Sequence, residues 1–349
     1  MEFGSFVEFH RREGGTFADA FQESFEHIDM AEDLGLDGVW LSEGHFNPNR
    51  TVLSSPHSIA AAIAARTKRL KIGTAVSILP LGNPLRMAEE TATIDQISQG
   101  RFEFGVGRSG LPGSYEGYGM SYAESRERFF EYLEIIMKAW TQERFSHQGK
   151  YFSYDDVCLV PKPFQSPHPK VRIAATTWET FPIIAKMGFP IFIGVRTLSL
   201  DVVADQITEY AAAWKQAGHS TLVDVSLRLP VYVADTKEEA YAEAEVSFMR
   251  QFARLSGALT ASARSAGSKV SEARSERGSQ LAELTWEGIV GNKVLVGTPD
   301  IVIEQIQKMK ERLQLSGIVA ELNAGERIPR DKIAKSLRLY CEKVAPAFS

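Results

Sequence analysis

An arginine in a glycine-rich turn is the first residue of this 349-residue chain that could do chemistry. Arg108 lies in the sequence GVGRSG, directly after the apolar run Phe102–Val106. That run predicts a buried strand, and parallel α/β sheets bind ligands at the C-terminal ends of their strands. Glycine lets the backbone approach a ligand closely, and arginine offers a fixed fork of donors to phosphate or carboxylate. The turn therefore predicts an anion site, with a surface ion pair as the alternative.

Three threonines follow another predicted strand, Val171–Ala175. Thr176, Thr177 and Thr180 lie at the expected start of a helix. Hydroxyl groups beside the free backbone N–H groups of a helix N-terminus can hold phosphate. Ordinary helix capping by one of these threonines is the alternative. If the two strands are neighbours, Arg108 and the threonines lie at the same edge of the sheet, and together they favour a ligand that carries phosphate.

Two titratable residues follow the predicted strand Gly38–Leu41. Glu43 and His45 lie just past its end, where barrel enzymes place acid–base and ligand-binding groups. A buried ion pair or a hydrogen-bonded core histidine is the structural alternative, and the spacing by itself favours that alternative. The sequence contains no HExxH, GxSxG or Walker motif, and its two cysteines are isolated from each other. We therefore expect no metal site.

Short apolar runs alternate with amphipathic helical segments along the chain, which predicts a parallel sheet with right-handed crossovers. There are close to eight such units, and no linker separates two cores. The simplest account is one α/β domain over residues 1–349, a (β/α)8 TIM barrel with insertions. The strands are expected at Phe3–Phe9, Gly38–Leu41, Leu70–Val76, Phe102–Val106, Val171–Ala175, Ile191–Val195, Val223–Ala234 and Gly317–Leu322.

Two segments interrupt the alternation. Residues 145–170 are rich in proline, glycine and aromatic residues, which predicts an irregular insertion or a hairpin. Within residues 256–290, serine, alanine, glycine and charged residues dominate as far as residue 284. That composition predicts a mobile segment that cannot bury a core.

Composition excludes several kinds of partner. The chain has 39 lysines and arginines against 44 aspartates and glutamates, a net charge of −5. Nucleic-acid and anionic-membrane binding need a basic excess, so neither is expected. No apolar run is long enough to cross a bilayer, and the N-terminus reads directly as a strand. We expect a cytoplasmic protein.

Four motifs, in order along the chain, resemble those of the bacterial luciferase-like flavin monooxygenases. They are MEFGSF (1–6), GVWLSEGHF (38–46), LKIGTAVSILPLGNPLRMAEE (70–90) and DQISQGRFEFGVGRSG (95–110). The resemblance resumes at Thr176–Gly188 and at VGTPDIVIEQI (296–306). It covers nearly the whole chain and is most specific over residues 70–110.

The resemblance implies a barrel that binds FMN at the C-terminal ends of its strands. It implies that Arg108, Thr176, Thr177 and Thr180 contact the flavin phosphate. It also implies a cis peptide after Ala75, beside the flavin ring, and a lid formed by the segment 256–290. A separate flavin reductase would supply the reduced FMN. A homodimer is expected, because the helices predicted at 84–98 and 121–143 lie in the half of the barrel that forms the family's dimer face. The second of these helices is crowded with aromatic residues.

One position departs from the family. The luciferase catalytic subunit has two histidines where this chain has Gly44-His45, and the first, taken as the catalytic base, is replaced by Gly44. The non-catalytic luciferase subunit also lacks that histidine, but it lacks the phosphate arginine as well and has a shortened lid. Arg108 and the long segment 256–290 therefore favour an active enzyme, in which Glu43 and His45 shape the pocket and move protons.

The function predicted on this basis is a flavin-dependent monooxygenase that uses reduced FMN and O2 to oxygenate a small organic substrate. A deazaflavin-dependent oxidoreductase on the same barrel is one alternative. A flavin-binding or partner subunit without turnover is the other. The sequence does not identify the substrate.

Overall fold

Eight parallel strands close into a ring in the computed structural model, which describes residues 1–48, 50–263 and 268–348. The first and last strands pair with each other, so the ring has no open edge. The predicted (β/α)8 barrel is therefore confirmed. The strands are β1 (Glu2–Val7), β2 (Gly38–Leu41), β3 (Lys71–Thr74), β4 (Phe102–Gly107), β5 (Lys170–Ala174), β6 (Ile191–Gly194), β7 (Val225–Val233) and β8 (Gly317–Glu321).

Helices cross over between consecutive strands and cover the outside of the ring. They are α1 (Phe17–Asp33), α2 (Pro56–Arg66), α3 (Pro84–Ser98), α4 (Pro112–Gly117), α5 (Ser125–Thr141), α6 (Thr180–Met187), α7 (Leu200–Gln216), α8 (Lys237–Ala263), α9 (Ser268–Ala282), α10 (Trp286–Ile289), α11 (Pro299–Leu313) and α12 (Arg330–Leu339). A π-helical turn, Tyr340–Val344, and a 3-10 turn, Ala345–Phe348, follow α12. A short strand, Leu295–Gly297, pairs with the end of β7 outside the ring.

The N-terminal end of the barrel is closed by one buried guanidinium. Arg172 of β5 is 1% exposed and donates to Glu103 of β4 at 3.1 Å and to Asp224, just before β7, at 2.6 Å. Glu2 of β1 lies 3.4 Å away. Burial alone would raise the pKa of the Asp224 carboxyl, but the Arg172 charge outweighs it and holds that pKa well below its ordinary value. Charges from four strands therefore meet across the barrel axis.

An aromatic layer lies above this ion cluster. Trp40 of β2 packs edge-on against Phe192 of β6, with ring centroids 4.9 Å apart, and the two join Phe6 and Val319 in one buried cluster. The Trp40 ring fits here because residue 73 is a glycine: a Cβ at Gly73 would lie 2.1 Å from the ring. This layer separates the N-terminal ion cluster from the C-terminal ends of the strands, which we call the mouth.

Residues 145–170 begin as an antiparallel hairpin of Phe145–Gln148 and Ser153–Val157. The hairpin packs on α5, where the Glu131 carboxylate accepts the N–H of Phe152 at 2.8 Å and Tyr132 meets the ring of Phe152 edge-on at 5.1 Å. After the hairpin, Gln165 donates to Asp95 of α3 at 2.8 Å. The segment is thus fastened to two barrel helices.

The segment 256–290 is helical over most of its described length, and its residues 264–267 lie outside the described residues. Ser256 of α8 donates to the carbonyl of Gly278 on α9 at 2.7 Å, and a Cβ at Gly278 would lie 2.6 Å from Thr260. The small residues therefore let α8 and α9 approach closely. The expectation that this composition buries no core is wrong, because Leu281 is 5% exposed and packs in the main core.

The aromatic residues of α5 are accommodated largely within the chain itself. Phe129, Tyr132 and Leu133 are buried by the barrel and the hairpin, and Phe130 is half-buried. Their crowding therefore does not require a second subunit. The homodimer remains a prediction that rests on the family resemblance.

His27 should make stability depend on pH. Its ring on α1 lies 2.8 Å from the Ser5 hydroxyl of β1, and removal from water lowers its pKa from 6.5 to about 4. Between these values the unfolded chain binds a proton that the folded chain does not. The free energy of unfolding should therefore decrease as the pH is lowered from 6.5 to 4, by up to about 1.4 kcal/mol per pH unit. His27→Gln should flatten this slope in urea denaturation at pH 7, 6 and 5. Equal slopes in the variant and the wild type would contradict the assignment.

Candidate functional site

A cavity of about 190 Å³ opens at the mouth of the barrel. Three of the predicted site residues, Glu43, His45 and Ala75, lie in its wall together. Arg108 is not among the lining residues, although the three residues that follow it are. The full lining is Ser42, Glu43, Gly44, His45, Asn47, Arg50, Thr51, Ala75, Val76, Ile78, Ser109, Gly110, Leu111, Ser114 and Arg228.

Glu43 and His45 form a hydrogen-bonded pair in which each carboxylate oxygen and each ring nitrogen has its own partner. Oε1 of Glu43 lies 2.7 Å from Nε2 of His45, and Oε2 accepts the backbone N–H of Ile78 at 2.8 Å. Both side chains are less than 10% exposed. The other ring nitrogen of His45, Nδ1, lies 3.3 Å from the hydroxyl of Tyr118. The carboxylate therefore orients the imidazole, and a proton on His45 has a path toward Tyr118.

Gly44 has no room for a side chain. A Cβ at this position would lie 2.3 Å from Cγ2 of Thr51. The Thr51 side chain is itself held in place, because its hydroxyl donates to the carbonyl of Glu8 and accepts the N–H of Leu53 at 3.0 Å. The methyl group of Thr51 thus occupies the space that the first histidine of the luciferase pair would require.

Arg108 follows β4 in the turn that the sequence predicts. Its Nη1 donates to the Ser125 hydroxyl at the start of α5 at 3.1 Å. Its carbonyl accepts a hydrogen bond from the buried Tyr115 hydroxyl, which anchors the backbone of the turn. Among the described residues, no carboxylate pairs with the Arg108 guanidinium. The alternative of a surface ion pair is therefore not found among the described residues.

The three threonines follow β5, the strand that pairs with β4. The hydroxyls of Thr177 and Thr180 lie 2.6 Å apart, and Thr176 is exposed. None of them caps α6, whose N-cap residue is Glu179 and has no side-chain hydrogen bond. Their placement next to β4 follows the sequence prediction.

The peptide bond between Ala75 and Val76 is cis, as the resemblance implies. It lies between β3 and the two-residue strand Ser77–Ile78, which pairs with the end of β4. A Cβ at Gly107 would lie 2.5 Å from the Val76 side chain. The glycine of the GVGRSG turn therefore allows this peptide to approach β4 at the cavity wall.

A ring of charge at the mouth is absent from the residues predicted from the sequence. Arg228 of β7 donates to Glu321 of β8 at 2.7 Å, and Arg50 donates to Glu8, directly after β1, at 2.9 Å. Arg196, after β6, lies 3.6 Å from Glu321. Arg228 is the one charged residue in the apolar run VSLRLPVYV, and a lone cation in a buried strand is the signal that would have found it.

Burial and the neighbouring opposite charges shift the pKa values of this ring in opposite directions. Burial lowers the pKa of Arg228 to about 10, with Glu321 opposing the shift and Arg196 adding to it. Burial would raise the pKa of the Glu8 carboxyl, but Arg50, His10 and Arg228 outweigh it and hold that pKa far below its ordinary value. Arg228 and Glu8 are therefore both charged at neutral pH.

A chain of contacts joins the α8–α9 hairpin to the mouth. Arg274 of α9 donates to the hydroxyl of Tyr122 at 2.8 Å and lies over its ring. Tyr122 packs edge-on against Tyr115 at 5.2 Å, and Tyr115 holds the backbone of Arg108. The hairpin thus reaches the turn that carries the predicted phosphate anchor.

The model of the luciferase-like monooxygenase family matches residues 1–315. The chain belongs to this family. Protein y4vJ of Sinorhizobium fredii is 30% identical over 206 residues, which cover 57% of this chain and 58% of that protein. The oxygenase component of a flavin-dependent trigonelline monooxygenase from Acinetobacter baylyi is 26% identical over 243 residues, 69% of this chain and 67% of its own length. The match to y4vJ therefore spans little more than half of that relative.

Solved structures of luciferase-like proteins share the fold of this family member. Monooxygenase RslO1 from Streptomyces bottropensis matches all of both chains with a TM-score of 0.82 at 24% identity. The oxygenating constituent of 3,6-diketocamphane monooxygenase from Pseudomonas putida, in complex with FMN, has a TM-score of 0.82 at 22% identity and covers 99% of this chain and 98% of its own. An F420-dependent secondary alcohol dehydrogenase has a TM-score of 0.74 at 17% identity over 100% of this chain and 99% of its own.

Residues 1–48, 50–263 and 268–348 contain no cluster of three or more histidine, cysteine, aspartate or glutamate side chains able to hold a metal ion. Within the same ranges, every helix is too short or too polar to span a lipid bilayer.

The contact between Gly44 and Thr51 predicts a double-mutant result. Gly44→Ala should lower the free energy of unfolding by about 1–3 kcal/mol, the usual range for overpacking a buried site. Thr51→Ser removes Cγ2 but keeps the hydroxyl, so Gly44→Ala in the Thr51→Ser background should cost much less. Urea denaturation of the four proteins measures the coupling. An equal cost in both backgrounds would show that Thr51 does not exclude a side chain at position 44.

Proposed function

We propose that this chain is the oxygenase component of a two-component flavin-dependent monooxygenase. It takes reduced FMN from a separate flavin reductase and uses O2 to oxygenate a small organic substrate. The observation that carries this proposal is the Arg108 guanidinium, which has no carboxylate partner among the described residues and belongs to a turn whose next three residues line the mouth cavity. The trigonelline relative, described as an oxygenase component, supports the use of a separate reductase.

The residues present fit a planar cofactor that carries a phosphate. Arg108 and the hydroxyls of Thr177 and Thr180 supply phosphate donors on the neighbouring strands β4 and β5. Ala75 and Val76 line the cavity, and Gly107 leaves room for the Val76 side chain beside β4. Ser42 has a buried hydroxyl without a hydrogen-bond partner among the described residues, and it lies in the same wall. These features match a phosphate-bearing ring system, which is the chemistry of FMN.

The chain's own residues then have separate tasks. Arg108, Thr176, Thr177 and Thr180 hold the phosphate, and Ala75 supports the ring. FMN, when bound in its reduced form, supplies the reaction with O2. Glu43 orients His45 through Nε2, and His45 accepts or donates a proton at Nδ1 beside Tyr118. The α8–α9 hairpin excludes water from the mouth.

Hydride transfer with a deazaflavin is the second candidate, since an F420-dependent dehydrogenase shares the fold. The test supplies NADH, FMN and a flavin reductase, and follows O2 consumption with and without this protein. A change in the rate or in the hydrogen peroxide yield of reduced-FMN oxidation supports the oxygenase. Tight binding of a deazaflavin with no response to reduced FMN supports the second candidate. Flavin binding that leaves O2 consumption unaltered over a substrate screen supports a non-catalytic subunit.

The anchor role of Arg108 predicts a loss of flavin affinity. Arg108→Ala should weaken FMN binding by about 1.5–3 kcal/mol, because a hydrogen bond to a charged group is lost. Fluorescence titration of FMN measures the change. Arg126→Ala removes an exposed arginine of α5 and should leave the affinity at the wild-type value. Equal affinity in Arg108→Ala and the wild type would remove Arg108 from the phosphate site.

The lid role of the hairpin predicts greater access of solvent to bound flavin. Arg274→Gln removes the cation that lies on Tyr122, so the hairpin should close less firmly over the mouth. Iodide should then quench the fluorescence of bound FMN more strongly, and reduced FMN should yield more hydrogen peroxide. Arg277→Gln on the same helix is the matched control. Deletion of residues 262–280 should have the larger effect, with FMN binding nearly intact. Unchanged quenching in both the Arg274 variant and the deletion would make the segment an ordinary insertion.

A further inference from the structure

The charged ring at the mouth is not balanced. Three guanidiniums, those of Arg50, Arg196 and Arg228, surround two carboxylates, those of Glu8 and Glu321. Both carboxylates are nearly inaccessible to solvent, with side-chain exposures of 4% and 3%. Glu321 also accepts a hydrogen bond from Gln251 at 2.8 Å, and Glu8 also lies 3.4 Å from His10. Among these five charged side chains, the guanidiniums outnumber the carboxylates by one. An uncompensated charge at a protein interior is unfavourable unless a ligand or solvent neutralises it.

Two hydrogen-bond donors at the cavity also lack partners. Nη2 of Arg228 is buried and makes no hydrogen bond within the described chain, and its nearest ion-pair oxygen, Oε2 of Glu8, is 3.8 Å away. The hydroxyl of Ser42 is likewise buried and unpartnered among the described residues. Both residues line the mouth cavity. A buried polar group without a partner is unfavourable, so these two donors need an explanation.

The Arg228 side chain is held in position before any ligand arrives. Its guanidinium lies 3.3 Å from the centroid of the Phe6 ring, and its Nε donates to Glu321. The guanidinium is therefore fixed by stacking on Phe6 and by a hydrogen bond at one edge. Its opposite edge is left to bind another partner. A cation fixed in this way binds an anion without losing side-chain entropy.

We propose that Arg228, together with Arg50 and Ser42, forms a subsite that binds a carboxylate of the organic substrate. The inference rests on the proposed function, since it names the substrate class of the same mouth. It concerns a different place from the phosphate anchor: Arg108 follows β4, whereas Arg228 lies within β7, three strands further round the ring. The other source of negative charge is the reduced flavin ring, and the experiment separates the two.

The experiment measures anion preference in the flavin-free protein and again with FMN bound. Benzoate and benzamide are titrated calorimetrically as a pair of nearly the same shape, in which a neutral amide replaces the carboxylate. Wild-type protein should bind benzoate about tenfold or more tightly than benzamide, the ratio expected for a hydrogen bond to a charged group. Arg228→Gln should abolish the preference, Arg228→Lys should keep part of it, and Ser42→Ala should reduce it. Thermal melting confirms that each variant is folded.

Arg254→Gln is the matched control, because Arg254 pairs with Glu326 and does not line the cavity. It should keep the full preference for benzoate. The proposal is overturned if wild-type protein does not distinguish the two compounds, or if Arg228→Gln still does. It is also overturned if Arg228→Gln weakens only the binding of reduced FMN, which would assign the charge to the flavin. Preference for benzoate without any response to reduced FMN would instead refute the proposed oxygenase while leaving the anion subsite standing.

Discussion

The barrel depends on the buried guanidinium of Arg172. It binds Glu103, Asp224 and Glu2, which belong to strands on both sides of the ring, and so it ties the N-terminal end together across the axis. Such a cluster is costly to desolvate and tolerates no missing partner, since removal of one charge from a buried pair typically costs about 3–5 kcal/mol. The order of the strands and their stagger are therefore constrained by one charged centre, and the positions of all residues at the mouth follow from that stagger.

Above this centre the interior alternates in character. The aromatic layer of Trp40 and Phe192 rests on the Arg172 cluster, and Phe6 carries Arg228 on its ring. Every second residue of a strand faces inward. Along a strand, successive inward-facing residues therefore lie first in one ion cluster, then in the apolar layer and then in the second ion cluster. The first cluster is closed and fully paired, whereas the second has a surplus cation and unpartnered donors. The same kind of interaction stabilises the fold at one end and leaves binding capacity at the other.

The elements were predictable because each strand is a short apolar run bounded by turn residues. β2 was predicted to the residue, and β4 extends only to Gly107, one residue beyond the expected end. Arg108, Glu43 and His45 were predictable because they directly follow such runs. Arg228 and Glu8 were not, because their partners are separated by 93 and 42 residues in sequence and only closure of the ring brings them together. The contact between α8 and α9 was not predictable for a different reason: Gly278 and Ser256 suggest a mobile segment by composition, but their small size allows close contact between the helices once these are paired.

Trp40 has an optical consequence. The indole is buried, lies between Gly4 and Gly73 without room to reorient, and is one layer below the mouth. A flavin bound at the Ala75–Val76 peptide would lie close enough to accept its excitation, and the relative orientation of the two chromophores would be the same in every molecule. With a flavin at this peptide, the emission of Trp40 would report whether the mouth is filled, without any label attached to the protein.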